Sequence, residues 1–210
     1  FNLRRMLMNK SFIIKIILLC LVSIKVSAIE KVILFGDSLM AGYGLPKEQH
    51  LSVVLQNSLS LEGHNIKIIN GSVSGSTSAG GLNIVEWTLS ENNIDLMILC
   101  LGANDMLRGI QPSETEQNLE SIIKIAQSKK IEIILAGMLA PTSYGIEYKK
   151  NFDQIYSNLS KKYDLKFIPF LLEGVAFNPS LNLSDGMHPN SKGTIVISNT
   201  LKKSILNYIN

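Results

Sequence analysis

Two periods of apolar residues alternate along the chain: short consecutive runs, and longer stretches with apolar positions three and four apart. Lys31–Phe35 is a short run stopped by Gly36 and predicts a strand. Leu51–Leu61 places Leu51, Val54, Leu55, Ser58 and Leu59 at helical spacing and stops at Glu62-Gly63. Ile66–Ile69 predicts a second strand, ended by Asn70-Gly71, and Leu82–Leu89 a helix with Trp87 as its core anchor. Asp95–Leu101 predicts a third strand, again stopped by glycine. Ser113–Lys130 predicts a long helix opened by a serine cap, Ser113, with Glu116 three residues on. Ile131–Ala136 predicts a fourth strand, Tyr148–Tyr163 a helix, Lys166–Ile168 a short fifth strand, and Ser191–Ile209 a closing amphipathic helix.

Apolar strands alternating with helices imply an α/β fold: a parallel sheet covered on both faces. Right-handed crossovers make it a three-layer α/β/α sandwich. Ligands in such sheets sit at the carboxyl ends of the strands. The candidate segments are therefore Gly36-Asp37-Ser38, Gly71 to Gly81, Gly102 to Asp105, Gly137 to Gly145, and the stretch before the last helix. No internal repeat or linker divides residues 29–210, which read as one domain.

Residues 1–28 have a different character. Arg4, Arg5 and Lys10 precede an apolar run from Phe12 to Ile24, and Val26-Ser27-Ala28 has the small-residue form of a cleavage site. This is the pattern of a secretory signal cut near Ala28, which implies a periplasmic or secreted chain with no membrane span after cleavage. The segment holds five basic residues and no acid; removing them from the 20 leaves 15 against 17 acidic residues, a balance of about −2. A body of that charge carries no footprint for nucleic acid. Two cysteines exclude a disulfide scaffold, and three histidines leave little room for a metal centre; Cys100, in an apolar run, reads as an inert buried thiol.

Ser38 directly follows the first strand. It fits a helix N-cap and fits equally a nucleophile exposed at the top of the sheet. A nucleophile needs a base near neutrality, which points to histidine. His50 starts a helix, on its surface, and His64 lies in a turn. His188 lies in Asp185-Gly186-Met187-His188-Pro189, where the i,i+3 spacing can bring the carboxylate onto one imidazole nitrogen and leave the other for a serine. The same segment fits a capped helix start with a solvent histidine. An acyl-transfer oxyanion also needs donors, which the Asn104 amide and the Gly75 N–H can supply. Asp37 and Asp105 fit as loop-fixing hydrogen-bond partners. The Gly/Ser stretch around Gly75 could cradle a phosphate, but it lacks the P-loop lysine and the dinucleotide glycine spacing.

Taken in order, Gly36-Asp37-Ser38-Leu39, Ser74-Gly75, Gly102-Ala103-Asn104-Asp105 and Asp185-Gly186-Met187-His188 resemble the four blocks of the SGNH (GDSL-type) hydrolase family. The chain is most similar to that family's periplasmic thioesterase/protease/lysophospholipase branch. Ala41-Gly42-Tyr43, Leu107-Arg108-Gly109, Gln111-Pro112, Tyr144-Gly145 and Pro169-Phe170 also match that branch, whereas Gly137 to Thr142 is equally similar to arylesterases. The resemblance implies a flavodoxin-like sandwich with five parallel strands and a serine hydrolase of esters or thioesters. It implies Ser38 as nucleophile, His188 as base, and Asp185 as its orienter. Ser38 N–H, Gly75 N–H and the Asn104 side chain are then the oxyanion donors, with no metal or cofactor. Met106, Leu107, Ile110, Met138, Leu139 and Met187 lie near the implied nucleophile and suggest a groove for a fatty acyl chain. The expected partner is a small-molecule ester or thioester, bound by a monomer. A carbohydrate O-deacetylase on the same scaffold is the competing enzyme. A non-catalytic anion-binding module is the competing reading of another class.

Overall fold

The computed structural model describes residues 29–90 and 93–209, so the leader and its cleavage site lie outside the described residues. Five strands form one parallel sheet: β1 (Lys31–Gly36), β2 (Lys67–Asn70), β3 (Leu96–Cys100), β4 (Glu132–Ala136) and β5 (Lys166–Ile168), in the order β2-β1-β3-β4-β5. This is the flavodoxin-like order, in which strand order reverses between β1 and β3. The three central strands are continuous apolar runs because helices cover both faces. Val32–Phe35, all of β3 and Ile133–Ala136 are buried. The short edge strands expose lysines, Lys67 and Lys166, which blunt edge-to-edge pairing.

Seven α-helices are present among the described residues: α1 (Ser38–Ala41), α2 (Leu51–Leu61), α3 (Ser78–Thr88), α4 (Ala103–Leu107), α5 (Pro112–Ser128), α6 (Ile146–Lys162) and α7 (Ser191–Ile209). α2 packs on α7, while α5 packs on both α3 and α6. Right-handed crossovers put the first pair on one face of the sheet and the other three on the opposite face. The packing stripes follow the helical period. Leu119, Ile122, Ile123 and Ala126 are buried on α5, and Phe152, Ile155, Tyr156 and Leu159 on α6. Each large side chain so buried contributes about 1.5–3 kcal/mol.

Three sequence expectations are corrected. Trp87 is not a core anchor: it is 79% exposed. The inward face of α3 is Ser78, Gly81, Val85 and Thr88, and a residue two past Val85 points away from it. The same helix begins at Ser78 rather than Leu82, because Thr77 caps it by accepting from the Gly80 N–H at 3.1 Å. α5 begins at Pro112, not at a Ser113 cap; Pro at the first position sacrifices no helical hydrogen bond, and Gln111 makes no side-chain cap.

Candidate active site

Four loops converge at the carboxyl end of the sheet. After β1 the chain turns at Asp37, whose Oδ1 accepts the Leu39 N–H at 3.0 Å and caps α1. Ser38 is the first residue of that helix, and Gly42 ends it with φ 89°. The loop after β2 is laid against β1: Val73 N–H donates to the Gly36 carbonyl at 3.0 Å and Ser72 Oγ–H to the Leu34 carbonyl at 3.0 Å. Gly75 then takes φ 80°, a left-handed conformation that a side chain would strain, and Arg108 Nη2 donates to its carbonyl at 3.0 Å.

After β3, Gly102 has φ 116° and opens α4, which carries Asn104. Asp105 ties this turn to its neighbours by accepting from the Ser78 N–H at 2.8 Å, the Ser78 hydroxyl, and Thr115 Oγ at 3.3 Å. The fourth loop is closed on itself before α7. Leu183 N–H donates to the His188 carbonyl at 2.7 Å, and Asn182 bridges Pro189. Asn190 Oδ1 accepts from Lys192 and Gly193 N–H groups at 2.9 and 3.2 Å, capping the helix.

These loops bring three predicted residues into one chain of contacts. His188 Nε2 lies 2.9 Å from Ser38 Oγ, and His188 Nδ1 lies 2.7 Å from Asp185 Oδ2. Asp185 Oδ1 accepts the Met187 and His188 N–H groups at 2.9 and 3.0 Å. Those backbone bonds, with the imidazole, hold its carboxyl down to about 2. An ionised Asp185 can only accept, so Nδ1 carries a hydrogen and Nε2 accepts the Ser38 hydroxyl. Tyr43 covers the imidazole with its ring centroid 4.4 Å away. Asn104 Nδ2 donates to Asp37 Oδ2 at 3.2 Å. The Ser38 and Gly75 N–H groups donate to no acceptor among the described residues.

Beside this relay lies a cavity of about 520 Å³. Its wall includes Ser38, Gly75, Asn104 and His188, together with Met106, Leu107, Met138, Leu139 and Met187. The remaining predicted groove residue, Ile110, is not in the wall. Its N–H turns back to the Asp105 carbonyl at 3.0 Å, and its carbonyl accepts the Tyr148 hydroxyl at 2.8 Å.

A profile of the GDSL-like lipase/acylhydrolase family matches residues 34–194. The chain belongs to that family. It is 30% identical to an arylesterase of Vibrio mimicus over 94% of this chain and 98% of the relative. It is 31% identical to thioesterase 1/protease 1/lysophospholipase L1 of Escherichia coli over 91% of each chain. The crystal structure of the psychrotrophic esterase EstA from Pseudoalteromonas, inhibited by monoethylphosphonate, has a TM-score of 0.82 and 30% identity, covering 86% of this chain and 99% of that one. As a GDSL-like hydrolase with esterase and thioesterase relatives, the chain is a serine hydrolase of ester bonds.

Other wall residues of this GDSL fold lie outside the four blocks. Phe170, Leu172, Ala176 and Phe177 come from the irregular stretch after β5, and Phe177 is 88% exposed with φ 60°. Neither helical nor strand periodicity marks such a segment. Tyr43 was legible only as part of the matching stretch Ala41-Gly42-Tyr43; nothing in its spacing announced the imidazole above which it sits. Of the other histidines, His50 is half-buried at the start of α2, where Nε2 lies 3.0 Å from the Leu45 carbonyl, and His64 stays in its turn.

Proposed function

We propose that Ser38 is the nucleophile of this hydrolase, His188 its general base and then acid, and Asp185 the group that fixes the imidazole. The observation that carries the reading is the unbroken relay from Asp185 Oδ2 to His188 at 2.7 Å and from His188 to Ser38 Oγ at 2.9 Å. Ser38 Oγ attacks the acyl carbonyl as Nε2 takes its proton. The carbonyl oxygen becomes an oxyanion, which the Ser38 N–H, Gly75 N–H and Asn104 amide stabilise. The oxyanion collapses and the carbon–oxygen or carbon–sulfur bond breaks. His188 returns the proton to the departing alcohol or thiol, and the acyl group stays on Ser38. Water, deprotonated by His188, then attacks the acyl-enzyme and releases the acid.

The cavity supports a fatty acyl substrate. Apart from the reacting groups its wall is largely Met, Leu, Phe and Ala side chains, a surface for a fatty acyl chain rather than a sugar. Each buried CH₂ adds about 0.8 kcal/mol, or roughly fourfold in kcat/KM. The relatives are named for aryl esters, thioesters and lysophospholipids, which differ in their leaving groups, so we leave the leaving group of this chain open to alcohols and thiols alike. The leader pattern supports export after cleavage near Ala28. Among the described residues no helix is long and apolar enough to cross a membrane.

The test is steady-state hydrolysis by residues 29–210 of p-nitrophenyl esters and acyl-CoA thioesters from two to sixteen carbons, with Ser38→Ala in parallel. Rising kcat/KM with chain length, abolished in the variant, supports the reading. Activity confined to acetyl esters moves the carbohydrate O-deacetylase to the front.

A further inference from the structure

Asp37 precedes the proposed nucleophile, yet it is 1% exposed and takes no part in the cavity wall. Both of its oxygens are engaged: Oδ1 accepts the Leu39 N–H at 3.0 Å, and Oδ2 accepts Asn104 Nδ2 at 3.2 Å. A side-chain amide has two orientations half a turn apart, one presenting nitrogen and the other oxygen at a given place. A carboxylate only accepts, so it selects the orientation with Nδ2 against it. That leaves the second N–H of Nδ2 for the cavity that Asn104 lines. The flipped amide would set Oδ1 against Oδ2, two acceptors facing each other in a buried site.

We propose that Asp37 is a positioning residue whose carboxylate locks the Asn104 amide with nitrogen, not oxygen, serving the oxyanion. The inference rests on the assignment of Asn104 as an oxyanion donor. Acid should release the lock. Burial pushes the Asp37 carboxyl up to about 6, against the hydrogen bonds from Leu39 and Asn104. Of the titratable groups facing it, His188 lowers that value and Asp105 raises it, while Cys100 and Tyr156 are buried thiol and phenol neighbours held neutral. A protonated Asp37 can donate, and then it stabilises either amide orientation.

Asp37→Asn has the same shape. Its Oδ1 can still cap the Leu39 N–H, but its NH₂ now faces Asn104 and favours the flipped amide. The experiment is a double-mutant cycle of Asp37→Asn and Asn104→Ala on a short-chain p-nitrophenyl ester. We expect Asp37→Asn to lower kcat about 10²-fold, approaching the loss in Asn104→Ala, with KM little changed. In the Asn104→Ala background it should cost nothing further. An equal loss in both backgrounds would make Asp37 merely structural and overturn the proposal while leaving Asn104 in place. Wild-type kcat in Asn104→Ala would instead remove Asn104 from the oxyanion site, and the positioning role with it.

A readout without turnover separates these cases. In the His188→Gln variant, which has no imidazole to titrate, the Asn104 side-chain Nδ2 NMR resonances should shift with a midpoint near pH 6 or above. The shift should vanish when Asp37→Asn is added. Resonances that ignore pH in His188→Gln, or that titrate equally without the carboxylate, would break the link between the two residues.

Discussion

Asp185→Asn replaces one oxygen by an NH₂ and reverses one hydrogen bond. In the wild type Oδ1 holds the Met187 and His188 N–H groups at 2.9 and 3.0 Å, while Oδ2 faces His188 Nδ1 at 2.7 Å. The asparagine oxygen keeps the two backbone bonds, since only an acceptor satisfies them. Its NH₂ therefore occupies the Oδ2 position. A donor at that distance requires Nδ1 to accept, which moves the imidazole hydrogen to Nε2. The Nε2–H then points at Ser38 Oγ, 2.9 Å away, and cannot take its proton. In a Ser-His-Asp triad of another fold the same wrong tautomer lowers kcat about 10⁴-fold. Here the Asp185 side chain is 34% exposed, so water offers the imidazole some alternative partners. The expected loss is about 10²–10⁴-fold, a barrier increase of roughly 3–5 kcal/mol. The assay is kcat on a p-nitrophenyl ester at neutral pH, with imidazole ¹⁵N shifts to read the tautomer. A loss below tenfold, or a ring that still carries its hydrogen on Nδ1, would refute the reasoning.

Stability should respond to Asp37 in the opposite sense from activity. Its carboxyl is raised to about 6 in the folded chain, so between pH 4 and 6 the unfolded chain has lost a proton that the folded one keeps, and stability falls as pH rises. The free-energy difference between Asp37→Asn and wild type should therefore move in favour of the variant by about 2 kcal/mol from pH 4 to 7, measured by urea unfolding; a pH-independent difference contradicts it. Tyr43→Phe should keep kcat within about twofold and Tyr43→Ala should lose about 3–10-fold, because the ring 4.4 Å from His188, rather than the hydroxyl, is what supports the imidazolium. Gly102→Ala should lower Tm by about 5–10 °C in a thermal melt, since the residue sits at φ 116° and the new methyl would collide with the Tyr156 hydroxyl oxygen.

The sheet was legible because its central strands are unbroken apolar runs that end at glycine or turn residues. That pattern located the ends of β1 and β3, and with them Ser38 and Asn104. The i,i+3 spacing of Asp185 and His188 allowed the carboxylate to reach the imidazole but fitted a capped helix start as well, and it was the resemblance of the four blocks together that chose between the two. Trp87 misled because hydrophobicity was weighed without its place on the helical wheel, where Val85 and Thr88 already define the inward face. Ile110 misled in the same way: an apolar residue next to a site can spend its backbone on the loop and keep its side chain out of the cavity. Phe177 and Leu172 were invisible for a different reason. They reach the cavity from an irregular stretch whose path is set by tertiary contacts, not by a repeat. The link between Asp37 and Asn104 joins residues 67 positions apart, and only the folded chain brings them together.

The most direct measurement is covalent. The mature chain would be treated with a fluorophosphonate ester, followed by intact mass and peptide mapping, with turnover measured on the same sample. One phosphonyl group on Ser38, gained in step with the loss of esterase activity and absent after His188→Ala, is the expected result. Inactivation with the label on another residue, or full activity with Ser38 phosphonylated, would contradict the assignment of Ser38 as the nucleophile.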